Sequence, residues 1–128
     1  MIALFLVALW LTLLITRIIA HNLHDMKNYG TLNEKSKTPT GLLRKITGWD
    51  IHHIHIGLPI LVVILPFIII YGLSDITVIL LAISLSFIAD QTIPLIDRKS
   101  NYFHKSKLMI SIIFHLMISI IIILFMPF

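Results

Sequence analysis

The sequence gathers imidazole side chains in one short segment. His52, His53 and His55 occupy three of four consecutive positions, immediately before a long apolar run. In a helix, residues three apart share a face, so His52 and His55 would lie side by side. Imidazole is the commonest side-chain metal ligand, and zinc, copper and iron accept it together with a carboxylate. The segment therefore predicts a metal site, and the alternative is a histidine cluster that contacts lipid headgroups.

Further ligands of the same types are spread along the chain and would have to be brought together by its fold. His115 lies within the last apolar run, and His24 follows the first one with the same i, i+3 spacing from His21. The first-choice metal ligands are His52, His53, His55, Asp90, His115 and His24. Further candidates are Asp50, His21, Asp25 and Asp97.

Asp90 lies inside an apolar run, where an ionisable side chain is costly. The cost is roughly 2.5–3.5 kcal/mol at the centre of a membrane, so such a group usually faces the interior of a bundle and has a partner. This position favours a functional role for Asp90. The structural alternative is a carboxylate that Ser84, Ser86 or Thr92 satisfies.

His115 is flanked by a serine one turn before it, Ser111, and another one turn after it, Ser119. Polar side chains on one stripe of an apolar helix also serve as hydrogen-bonding contacts between helices. The pattern therefore leaves two interpretations of His115 open, a metal ligand or a packing residue.

The composition requires a lipid environment. Of the 128 residues, 58% are hydrophobic and only 12% charged, against about 45–50% and about 25% in soluble domains. A soluble domain of this size could not bury that much apolar surface. There is no cysteine, which excludes disulfides, thiolate metal sites and iron–sulfur clusters. The net charge of +4 is explained by short basic loops, and we expect no binding to nucleic acid.

Four apolar stretches are each close to the ~20 residues that cross a bilayer as a helix. The sequence predicts an all-α integral membrane protein, a single domain spanning 1–128. Its four transmembrane helices are expected at about 2–20, 54–73, 76–96 and 108–127. The loop 21–53 is expected to carry a short interfacial helix at about 41–47.

The cations predict the orientation. All ten Lys and Arg residues lie between Arg17 and Lys45 or between Arg98 and Lys107. Basic loops stay in the cytoplasm, so the first and third loops are expected there and both termini on the outer side. The expected location is the plasma membrane of a prokaryote, crossed several times.

The run from Leu43 to Gly57, Leu-Arg-Lys-Ile-Thr-Gly-Trp-Asp-Ile-His-His-Ile-His-Ile-Gly, resembles a signature of small uncharacterised prokaryotic integral membrane proteins. In these proteins a basic stretch leads into His-His-x-His-x-Gly, and a later apolar helix carries an acidic pair. Asp90 fills the first acidic position, but Gln91 occupies the second. The resemblance implies a shared polar site between the second and third helices.

These observations support three hypotheses. The leading one is a His/Asp site for zinc, copper or iron at the cytoplasmic membrane interface of a chain that works within a larger membrane complex or a homo-oligomer and is not catalytic by itself. The first alternative is a non-catalytic accessory subunit of a membrane oxidase or monooxygenase-type complex, without a metal of its own. The second is a stand-alone metal-dependent enzyme that acts on a lipid.

Overall fold

The computed structural model describes residues 1–29, 54–96 and 105–125, and side chains within 1–19, 54–91 and 108–125. These residues form four α-helices and, within the described ranges, no strand. They are α1 (Ile2–Tyr29), α2 (Ile54–Tyr71), α3 (Asp75–Ile96) and α4 (Lys105–Phe125). The predicted interfacial helix at 41–47 lies outside the described residues.

Three of the described helices are long and apolar enough to cross a membrane. The qualifying segments are Ile2–Ile19, Ile54–Tyr71 and Leu108–Phe125. Because a bilayer offers the backbone no hydrogen-bonding partner, an apolar segment of this length satisfies its own amide and carbonyl groups as a helix. This confirms the prediction of an all-helical membrane protein.

The helix boundaries differ from the predicted ones chiefly in α1. We predicted its end near residue 20, where the apolar run stops, but the helix continues to Tyr29. The prediction used loss of hydropathy as the sign of a helix end. Hydropathy marks where a helix leaves the lipid, whereas a helix ends at a residue that caps or breaks it.

The turn between α2 and α3 is compact and locally determined. Gly72 has a φ of 79°, a conformation that glycine adopts without steric cost, and its amide donates to the Ile68 carbonyl. Ser74 then caps α3. Its hydroxyl accepts the Thr77 amide at 3.3 Å, and its own amide donates to the Thr77 hydroxyl at 2.8 Å. This reciprocal pair is a capping box, which fixes the start of α3.

Helix α3 is central to the bundle. It packs against each of the other three helices, and α1 also packs against α4. The apolar core lies toward the end that carries residue 1 and the α2–α3 turn, and it consists of Phe5, Leu9, Ile64, Val78, Leu81 and Ala82. Toward the opposite end the buried side chains of α3 become small or polar, namely Ser84, Ser86, Ala89, Asp90 and Gln91.

Helices α2 and α3 approach most closely at Gly57. Ser84 donates its hydroxyl hydrogen to the Gly57 carbonyl at 3.0 Å. A Cβ atom on Gly57 would lie 2.8 Å from the Ser84 carbonyl oxygen and 2.9 Å from the Phe87 Cβ. Small residues allow helix backbones in a membrane to come this close. The glycine of the His-His-x-His-x-Gly run therefore has a packing role.

We predict that Gly57→Ala destabilises the protein by about 1–3 kcal/mol, because the added methyl group must push the two backbones apart. The measurement is reversible unfolding in mixed detergent micelles, followed by helical circular dichroism. Ile69→Ala is the matched control, since Ile69 is 82% exposed, and it should stay within about 0.5 kcal/mol of the parent. Equal stability of Gly57→Ala and the parent would contradict the close approach.

Candidate functional site: a buried polar centre

Five side chains from three helices form a connected polar centre, which we define as Arg17, Ser86, Asp90, Ser111 and His115. Arg17 comes from α1, Ser86 and Asp90 from α3, and the other two from α4. Four of the five are almost completely buried, and the Arg17 side chain is 16% exposed. The polar centre therefore lies inside the bundle, at the contact of α1, α3 and α4.

An ion pair joins α1 to α3. A terminal nitrogen of the Arg17 guanidinium, Nη2, donates to Asp90 Oδ1 at 2.5 Å. Each charge alone would be costly in this environment, and pairing offsets much of that cost. The same carboxylate oxygen accepts the Ser111 hydroxyl at 2.8 Å. Asp90 therefore ties α3 to both α1 and α4 through one oxygen atom.

His115 is held by hydrogen bonds at both ring nitrogens. Its Nδ1 lies 2.8 Å from the Ser111 carbonyl oxygen, which can only accept, so Nδ1 carries a hydrogen. Its Nε2 lies 2.9 Å from the Ser86 hydroxyl. In the neutral imidazole Nε2 accepts, so Ser86 is then the donor. Ser111 thus connects the imidazole, through its carbonyl, to the carboxylate, through its hydroxyl.

Trp10 extends the contact between α1 and α4 at the level of His115. Its indole N–H donates to the Ser119 hydroxyl at 3.2 Å, and Ser119 donates in turn to the His115 carbonyl at 2.7 Å. The Trp10 and His115 rings are 5.7 Å apart and tilted by 50°. Indole and imidazole therefore pack together where the polar centre meets the apolar core.

The structure brings together two of the predicted metal ligands, Asp90 and His115, and links them through Ser111. His55 is exposed on the first turn of α2, away from the buried interior. Among the described side chains there is no group of three or more His, Cys, Asp and Glu residues that could hold a metal ion.

The remaining predicted ligands lie outside what the structure describes in full. His52, His53, Asp50 and Asp97 are outside the described residues. The backbone of α1 is described at three further candidates, but their side chains are not, namely His21, His24 and Asp25. A metal site that uses these residues stays a prediction.

Sequence reasoning missed the role of Arg17. We treated Arg17 as an edge cation that sets the orientation, and proposed serine or threonine partners for Asp90. Two of those serines bond elsewhere, Ser84 to Gly57 and Ser86 to His115. A signal was present, because Arg17 and Asp90 are each the charged residue within an apolar run and both lie near the basic-loop end of their helices.

No known protein family, curated protein or solved structure matches the chain. The described helices and apolar spans define the class as a small, helical, multi-pass membrane protein with a buried polar centre. The resemblance seen in residues 43–57 stays a prediction.

We predict that Ser111→Ala destabilises the protein more than Ser119→Ala does. The first change removes a hydrogen bond to a charged carboxylate, a class worth about 1.5–3 kcal/mol in soluble proteins. The second removes a longer, neutral contact with Trp10, and interhelical bonds of that kind average about 0.6 kcal/mol. Unfolding in mixed micelles measures both. The reverse order would show that the Ser111 hydroxyl does not support Asp90.

Proposed function

We propose that this chain is a non-catalytic membrane subunit whose polar centre fixes the arrangement of its own helices. The observation that carries this proposal is a set of buried side-chain hydrogen bonds between helices, in which Arg17 and Ser111 donate to Asp90 and Ser86 bonds to His115. Groups that bind each other in this way hold helices in register.

The chemistry of the polar centre favours packing over metal binding or catalysis. Asp90 Oδ1 already accepts from both Arg17 and Ser111, and the positive guanidinium would repel a metal cation at the same carboxylate. His115 Nε2 could bind a metal only after losing Ser86. We therefore leave Asp90 and His115 out of any metal site in this proposal.

Two grooves on the described surface suit apolar contacts with other helices. A groove of about 510 Å³ between α2 and α3 has a wholly apolar lining that includes Pro59, Val63 and Phe67. A groove of about 350 Å³ between α1 and α3 includes Thr12 and Thr16 in its lining, but both hydroxyls donate to carbonyls of their own helix. Substrate sites usually present a few convergent polar groups, whereas the linings of these two grooves are predominantly apolar.

The outward surface suits insertion among other apolar helices. Large side chains of α2 are exposed along much of its length, including Val63 at 61%, Phe67 at 53% and Ile70 at 68%. Lipid covers such a surface in an isolated chain, and partner helices cover it in an assembly. We propose a larger membrane assembly, with an accessory subunit of an oxidase or monooxygenase-type complex as the example closest to this description.

The proposed topology follows from the basic loops. With four spanning helices, Lys and Arg residues place the segment between α1 and α2 and the segment between α3 and α4 in the cytoplasm. Both termini and the short turn 72–74 then lie outside. The polar centre lies in the cytoplasmic half of the bundle. A prokaryotic plasma membrane fits this arrangement.

The test replaces the ion pair by apolar residues, in the variant Arg17→Leu/Asp90→Leu. Replacing a buried ion pair by apolar side chains is often neutral or stabilising, whereas removing one partner costs about 3–5 kcal/mol. Both proteins are extracted from native membranes in mild detergent and run on a native gel. The double variant should therefore migrate as the parent does. Asp90→Leu alone should no longer migrate with the assembly.

Two outcomes of this experiment would contradict the proposal. One is that the parent chain migrates on the native gel alone in its detergent micelle, without other subunits. The other is an assembly that the double variant cannot enter although its helical content is intact.

A separate labelling experiment reports the topology, because the chain has no cysteine and Ser74→Cys gives a single label site. A membrane-impermeant maleimide should label Ser74→Cys in intact cells.

A further inference from the structure

The apolar groove between α2 and α3 runs along one half of the membrane span. Its lining extends from Ile76 and Thr77, at the start of α3, to Pro59 in α2. At 1.5 Å per residue, Pro59 lies about 18 Å along the helix from Tyr71, where α2 ends. One leaflet contributes about 15 Å of the ~30 Å hydrocarbon core of a bilayer. The groove therefore has about the depth of a single leaflet.

The groove is too narrow to hold a helix. Its volume of about 510 Å³, spread over a length of about 18 Å, corresponds to a mean cross-section of about 28 Å². An α-helix with its side chains is about 10–12 Å wide, which is a cross-section of roughly 80–110 Å². A partner helix can rest against the rim of the groove, whereas a single hydrocarbon chain is thin enough to lie inside it.

The lining suits a hydrocarbon chain along its whole length. Proline, valine, isoleucine, leucine and phenylalanine side chains supply nearly all of it. Thr77 is the lining residue that carries a hydroxyl, and this hydroxyl donates to the Ser74 carbonyl at 2.9 Å within the cap of α3. The exposed surface of the groove is therefore wholly apolar.

The end of the groove nearest the α2–α3 turn carries a negative charge and an aromatic ring. Asp75, the first residue of α3, directly precedes Ile76 and is exposed. Among the described side chains at this end of the bundle, only Asp75 is charged. Tyr71 is 77% exposed, and its ring lies 5.8 Å from the ring of Phe67, which lines the groove. A carboxylate and an aromatic face both attract an ammonium group, and a purely anionic headgroup would meet a like charge here.

We propose that the groove between α2 and α3 binds an acyl chain of a phospholipid whose headgroup ends in an ammonium group, with the ammonium beside Asp75 and Tyr71. The shape of the groove selects a single chain, and the charge at its end selects the headgroup. In the proposed topology this lipid belongs to the outer leaflet. The inference goes beyond the proposed subunit role and does not depend on it, because α2 and α3 of one chain supply the whole site.

The experiment titrates the full-length chain in detergent with phosphatidylethanolamine, or with phosphatidylglycerol that has the same acyl chains, and counts the bound lipids by native mass spectrometry. The parent should retain one phosphatidylethanolamine and bind phosphatidylglycerol more weakly. Asp75→Asn should reduce this preference about two- to fivefold, which is the range that an exposed ion pair contributes. An acid also favours the first turn of a helix by itself, so the readout is the headgroup preference and not stability.

Two neighbouring valines of α2 provide a matched pair of variants. Val62 and Val63 are 63% and 61% exposed, but only Val63 lines the groove. Val63→Trp fills the groove and should lose the bound lipid. Val62→Trp adds the same side chain outside the groove and should bind as the parent does, and both variants should keep the helical circular dichroism of the parent.

Three results of the titration would overturn the site: no phosphatidylethanolamine retained by the parent, equal binding by the two tryptophan variants, or a headgroup preference that Asp75→Asn leaves unchanged. A photoreactive amino acid at position 63 tests for a protein occupant. Crosslinks in native membranes to another polypeptide, instead of to phospholipid, would also overturn the site. The native-gel experiment reports separately on the subunit role.

Discussion

The contacts among α1, α3 and α4 converge on one interaction, the buried ion pair between Arg17 and Asp90. An aspartate within the apolar run of a helix usually has a partner, and here α1 supplies the opposite charge. Since the two charges are fixed on different helices, satisfying them fixes how α1 and α3 lie relative to one another. Ser111 adds α4 to the same carboxylate oxygen, so one buried carboxylate links three helices.

Helix α2 is attached in a different way. Its described contact with α3 rests on the absence of a side chain at Gly57 and on a hydrogen bond from Ser84. In a membrane the hydrophobic effect does not drive helices together, so close van der Waals packing and hydrogen bonds carry the association. The two modes divide the bundle into a charge-linked group of three helices and a fourth helix held by close packing.

The sequence predicted the elements better than their contacts. Apolar runs locate the three helices that are long and apolar enough to cross a membrane, because lipid imposes both composition and length on a helix. The Ser111–His115–Ser119 stripe was identified from its spacing, and its serines bond to Asp90 of α3 and Trp10 of α1. The partner of Asp90 was not identified, because pairing across 73 positions of sequence depends on how the helices are arranged and not on local spacing. The continuation of α1 to Tyr29 was missed since hydropathy reports the environment of a helix and not its end.

The most direct test of the central claim is a double-mutant cycle on the ion pair, with Arg17→Gln and Asp90→Asn made singly and together. These changes remove each charge; asparagine keeps the shape of aspartate, and glutamine is a shorter polar replacement for arginine. Stability is measured by reversible unfolding in mixed micelles. If Arg17 and Asp90 interact, the double variant should lose less unfolding free energy than the two single variants lose in sum. The expected coupling energy is about 0.5–3 kcal/mol. Single effects that add within about 0.3–0.5 kcal/mol would contradict the account, because Arg17 and Asp90 would then act independently.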